Sequence, residues 1–89
     1  MARVVWTREA LSQLELIREY VEQFDPAAAR RLTNRLVAAG ESLCNFPKRG
    51  RIAGDAIREL PTIRPYIIQY EVHVDIVYIL RIRHSAQSR

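Results

Sequence analysis

At 89 residues, with 48% apolar side chains and a formal net charge of +4, the chain makes one domain, 1–89, that buries roughly two-thirds of its unfolded surface. Three glycines, four prolines and no low-complexity run exclude a disordered or fibrous chain, and no apolar run approaches the ~20 residues of a membrane-spanning helix. Met1-Ala2-Arg3 leads into a short strand and not a signal-peptide apolar region, and the single Cys44 closes no internal disulfide and has no His or Cys near it at metal-ligand spacing, so the expectation is a cytoplasmic protein with no metal and no cofactor.

Arg3 to Trp6 is a short β-rich run, and Thr7 is placed to cap the helix that follows. Ala10, Leu14, Ile17, Val21 and Phe24 recur at alternating steps of four and three, which puts all five on one buried helix face. Asp25-Pro26 then supplies an N-cap and the early helical position that tolerates proline. A second helix begins almost without a loop, with Ala29, Leu32, Leu36, Ala39 and Leu43 as its apolar stripe and Gly40 where a close approach is needed. So short a connection makes the two helices an antiparallel hairpin. Cys44 reads as a small core filler near the helix end, and Trp6 as a packing anchor.

Pro47, Gly50 and Gly54 mark 46–56 as a loop, basic at Lys48, Arg49 and Arg51. A strand is expected over Ile57 to Leu60, a break between Pro61 and Pro65, and then two strands, Tyr66 to Val72 and Ile76 to Ile82, joined at His73-Val74-Asp75. Simple alternation puts Tyr66, Ile68, Tyr70 and Val72 on one face and Ile67, Gln69 and Glu71 on the other. It also puts Arg81 and Arg83 on the side of Val77 and Ile79. The expected architecture is α+β, two layers, with the helical hairpin on a mainly antiparallel sheet in the order β-α-α-β-β-β.

Charge divides unevenly along this plan. Up to Asn45 six arginines balance six acids; from Phe46 onward eight basic residues face only Asp55, Glu59, Glu71 and Asp75, so the second half carries the whole excess. That half attracts an anionic partner, whether nucleic acid or an acidic protein segment.

The Trp6-x-x-x-Ala10-x-x-x-Leu14 opening, Pro26-Ala27-Ala28-Ala29, Phe46-Pro47-x-x-Gly50-Arg51, Arg58-Glu59-Leu60, Pro65-Tyr66-x-x-x-Tyr70 and a last strand ending at His84 together resemble the RelE/ParE toxins of bacterial toxin–antitoxin modules. The resemblance covers nearly the whole chain. It implies a plasmid-stabilisation or addiction toxin neutralised by a cognate antitoxin, in a hetero-oligomer that touches operator DNA only through the antitoxin. RelE-like members are ribosome-dependent mRNA endonucleases, whereas ParE-like members inhibit DNA gyrase and cut nothing themselves. For the nuclease reading, Glu59 and His84 are the proton-transfer candidates, with Arg81 and Arg83, joined by Arg58, around the phosphate. Against it, Ile67 stands where nuclease members commonly carry arginine, and 85–89 holds no aromatic residue. The ParE-like reading is favoured, with Lys48, Arg49, Arg51, Arg58, Arg81, Arg83 and His84 as the target-binding set and a flexible tail over 85–89. A plain basic nucleic-acid-binding module ranks third, because the aromatics are too few for a stacking surface.

Overall fold

The computed structural model describes residues 2–86. The chain order is β1 (Arg3–Trp6), α1 (Arg8–Glu22), α2 (Pro26–Glu41), a single 3₁₀ turn (Ser42–Cys44), β2 (Arg51–Ile52), β3 (Ile57–Ile63), β4 (Tyr66–His73) and β5 (Ile76–His84). The strands lie side by side as β1-β5-β4-β3-β2. All neighbours are antiparallel except β1, which runs parallel to β5. The helices pack against each other and on one sheet face, giving the α+β two-layer domain.

Both helices start where their caps place them. Thr7 accepts the Ala10 N–H at 3.2 Å and Asp25 accepts the Ala28 N–H at 3.1 Å, each satisfying an orphan donor of a first turn. The core joins Ala10 of α1 and Leu36 and Ala39 of α2 to Leu43, Ile68, Tyr70, Val77, Ile79 and Ile82, with Leu14, Ile17, Leu32 and Trp6 packed around it. Gly40 is the expected close approach: a β-carbon there would sit 2.5 Å from the Trp6 ring. Trp6 also donates its indole N–H to Glu41 at 2.8 Å. Cys44 is half-buried at the end of the 3₁₀ turn.

Phe24 departs from the helical pattern. The spacing places it on the buried face, yet α1 stops at Glu22 and Phe24 is 73% exposed. The cause is the start of α2. Asp25, extended because it precedes proline, ends the helical path, so Phe24 sits in the turn and meets the Tyr20 ring edge-on at 5.4 Å.

Two strand boundaries also differ from expectation. The supposed loop over 46–56 contains β2, registered as Arg51↔Glu59 and Ile52↔Arg58 against β3. β3 in turn runs on past Leu60 to Ile63, with its register to β4 shifting between those two residues, where Pro61 lacks the N–H a regular ladder requires. At the other end of β4 the hairpin tip is Val74-Asp75, and Val74 has φ 55°.

The register of β4 on β5 decides which way the last strand's arginines face. Pairing is regular from His73↔Ile76 to Tyr70↔Ile79, after which Gln69 lies opposite Arg81, so Leu80 is an extra residue. Such a bulge reverses the alternation beyond it. Val77 and Ile79 are buried before it and Ile82 after it, so Arg81 and Arg83 share a side with each other but lie opposite Val77 and Ile79. This corrects the placement that unbroken alternation gives.

Candidate functional site

Helices cover one sheet face; none of the described elements packs across the other. A row of side chains crosses four strands on this open face, Arg51↔Glu59↔Gln69↔Arg81, with Ile67↔Arg83 beside it, because directly opposed residues share a face. The row is wired together. Glu59 Oε2 accepts from Gln69 Nε2 at 2.7 Å and from Arg83 Nη2 at 3.1 Å, and Glu59 Oε1 from Arg51 Nη2 at 3.4 Å. Gln69 Oε1 accepts from Arg81 Nη1 at 2.8 Å, and Arg81 Nε reaches Glu9 of α1 at 3.3 Å.

Glu59 is 7% exposed and the one buried charged residue among those described. The Gln69 hydrogen bond, then Arg83 and Arg51, hold its carboxyl below the usual glutamate range against the opposing push of burial. Ile67, buried on the same face opposite Arg83, adds no charge to the row.

The remaining candidates lie elsewhere. Arg58 is opposite Tyr70 and so faces the helix side; its guanidinium donates to Gly50 O at 2.7 Å and reaches Lys48 O at 3.4 Å. It braces the loop over 46–50 from below. The same loop is pinned by the Gly50 N–H, which donates to the Tyr70 hydroxyl at 2.7 Å. Gly50 must be glycine there, since a β-carbon would lie 2.7 Å from both that hydroxyl and the Glu59 carbonyl oxygen. Burial pushes the Tyr70 hydroxyl's pKa upward, which keeps it a neutral acceptor. Lys48 and Arg49 are exposed on this loop, next to an exposed Phe46, and Arg49 donates to Ser42 Oγ at 2.7 Å.

His84 is opposite Tyr66 on the helix side. It meets Tyr66 edge-on at 5.5 Å, and its Nδ1 accepts the Ala86 N–H at 3.0 Å. With Gln13, Leu16, Ile17, Tyr20, Tyr66 and Ile82 it lines an open cleft of about 560 Å³. Glu59 and His84 therefore occupy opposite faces of the sheet. They do not flank a common phosphodiester in this arrangement.

The structure thus brings together Arg51, Arg81 and Arg83 with Glu59, and separates from them Lys48 and Arg49 on the loop, Arg58 as a brace and His84 in the cleft. Of the tail, Ser85 and Ala86 are described as a turn, with the Ser85 N–H donating to Pro65 O at 2.7 Å; 87–89 lie outside the described residues. Gln69 and Glu9 went unread in the sequence, because only the cross-strand register reveals that Gln69 links two charges. Gln13 and Thr7 carry second roles that the sequence does not show. Gln13 Oε1 accepts the Ile82 N–H at 2.6 Å and Thr7 Oγ1 donates to Leu80 O at 2.9 Å, which closes the edge of β5 beyond the end of β1. Among the described residues no group of His, Cys, Asp or Glu could hold a metal ion, and no helix is long and apolar enough to cross a membrane.

The family model described as ParE toxin of type II toxin-antitoxin system, parDE, matches residues 4–89. The chain belongs to the ParE toxin family. It is 49% identical over 87 residues to Toxin RelE2 of Caulobacter vibrioides, covering 98% of this chain and 99% of the relative. To Putative toxin Y4kP of Sinorhizobium fredii it is 39% identical over 88 residues, covering 97% and 91%. A solved chain from the chromosomal ParDE TA system from P. aeruginosa has the same fold, with TM-score 0.83 and 25% identity over 94% of this chain and 96% of that one. This ParE-family protein is accordingly the toxin of a type II toxin–antitoxin module, and family membership implies a cognate antitoxin as its partner.

Proposed function

We propose that this ParE-family toxin acts in the cytoplasm, arresting growth by binding DNA gyrase stoichiometrically and cutting nothing itself, with the open sheet face around Arg51, Arg81 and Arg83 as its contact. The observation that carries this reading is the separation of Glu59 and His84 onto opposite faces. Cleavage by a 2′-hydroxyl needs a proton acceptor and a proton donor on either side of one phosphate. Here the carboxylate is occupied by three donors and the imidazole Nδ1 by a backbone N–H. Ile67 next to Arg83, where the nuclease branch commonly carries arginine, points the same way.

A second reading, ribosome-dependent mRNA cleavage, is kept by the RelE name of the Caulobacter relative. It would use Arg51, Arg81 and Arg83 on the phosphate and require Glu59 to leave its partners. One paired experiment separates the two. The purified chain is added to a gyrase supercoiling assay and to ribosomes translating a defined message. Lost supercoiling with an intact message supports gyrase binding, whereas a cut message with unimpaired gyrase overturns it. Exchange of both arginines, R81Q/R83Q, should abolish growth arrest in cells; unchanged arrest would remove the open face as the contact. The antitoxin segment that meets this face should be acidic, so salt should release it, with operator DNA contacted through the antitoxin and the module serving plasmid stabilisation.

A further inference from the structure

We infer that Glu59 and Gln69 are positioning residues that hold Arg81 and Arg83 in the geometry their target requires, which rests on the reading that the open face is the contact. On this view shape and hydrogen-bond direction, not the sum of positive charge, make the contact work.

Arginine donates only and an ionised glutamate accepts only, while glutamine does both. Arg81 donates to the Gln69 oxygen at 2.8 Å, which turns the Gln69 NH₂ toward Glu59 at 2.7 Å; Arg83 approaches the same carboxylate oxygen at 3.1 Å. Every donor in the row therefore points toward Glu59. Remove that acceptor, and the Gln69 NH₂ loses the partner that fixes which way the amide faces. Glu9 at the far end fixes the Arg81 Nε at 3.3 Å, so Arg81 is held from two sides. Long side chains that are ordered before a partner arrives lose no further rotamer freedom on binding. A carboxylate buried on a sheet face with no covering element among those described is costly, and nothing in the core requires it. The hydrogen bonds it accepts all come from this row.

Two substitutions separate positioning from bulk charge. Each makes the face one unit more positive, so plain attraction of an acidic target would strengthen in both. Glu59→Leu removes the oxygen that the Gln69 NH₂ and Arg83 share, and with it the acceptor that orients the row. Glu59→Gln keeps it: the amide oxygen takes the place between Gln69 and Arg83, and the NH₂ faces Arg51, whose bond is the longest of the three at 3.4 Å and whose side chain is 65% exposed and free to turn away. Positioning therefore expects Glu59→Leu to lose potency and Glu59→Gln to keep it at the same net charge.

Potency is read in cells as the toxin level that halves colony formation, with soluble amount and thermal midpoint measured for each variant. E59L is expected to need on the order of tenfold more toxin, and E59Q to stay within about threefold of wild type. Potency of E59L equal to or above that of E59Q, with R81Q/R83Q inactive, overturns this inference alone. Activity of R81Q/R83Q overturns the contact surface and this inference with it. Should E59L fail to fold, ¹⁵N NMR of the wild type carries the test. Restrained rotation of the Arg81 and Arg83 guanidinium groups supports positioning, and free rotation of both overturns it.

Discussion

On the helix side of β4, Tyr66, Ile68, Tyr70 and Val72 pack into or against the core; on the other side, where Ile67, Gln69 and Glu71 alternate with them, none of the described elements covers the sheet, and Gln69 is bonded across it to Glu59 and Arg81. The first set is held by removal of apolar surface from water, which tolerates side chains of similar volume. The polar row through Gln69 is held by hydrogen bonds with a fixed donor-to-acceptor direction, which tolerate little exchange. Stability should therefore concentrate on the covered face and function on the open one. Mutations on the two faces ought to separate these properties.

The largest expected effect tests the covered face. Leu36→Ala removes a fully buried side chain from the contact of α2 with the sheet and should cost about 3 kcal/mol, lowering the thermal midpoint by roughly 15 °C. Any activity left at low temperature should keep its wild-type salt dependence, since the arginine row is untouched. Tyr70→Phe is the sharper probe of the same face. It leaves the ring and orphans only the buried Gly50 N–H, for about 2 kcal/mol, seen as a lower urea midpoint and faster amide exchange in the loop over 46–50.

On the open face the check is pH. Because Glu59 titrates lower in the folded chain than its ordinary value, its contribution is complete above about pH 4.3 and is lost as pH falls through the depressed folded value. Acid unfolding curves of wild type and E59Q should therefore converge toward low pH. Parallel curves would show that the carboxylate is not held by its neighbours. The smallest expected change lies away from both faces. Val74 is 99% exposed with φ 55°, a conformation that suits glycine at the first position of a two-residue hairpin tip. Val74→Gly loses no packing and should stabilise by about 0.5 kcal/mol, without altering potency.

Much of this architecture can be read from side-chain order alone. Thr7 and Asp25-Pro26 announce both helix starts, the four-three spacing of Ala10, Leu14 and Ile17 gives the buried face of α1, and the two apolar runs from Tyr66 give the hairpin. What the order hides is anything set by register. Phe24 continues the helical spacing without a break, and only the extended Asp25 takes it out of the core. Arg51 belongs to a strand only because Glu59 is opposite it. Leu80 looks like any other apolar strand residue, yet as the bulge it decides the face of Arg81 and Arg83. Arg58 and Arg81 look alike as basic residues beside apolar ones, and pairing alone makes one a brace and the other part of the open row. For the site, residue types were legible and their grouping was not.

The parallel pairing of β1 with β5 joins strands from opposite ends of the fold. During synthesis β1, α1 and α2 leave the ribosome long before the strand that gives β1 its neighbour and Gln13 and Thr7 their partners. Closure of so distant a contact is slow, and it must wait for β5, which also carries Arg81 and Arg83. On the proposed contact, a nascent copy should be unable to arrest growth until that final strand has emerged and paired.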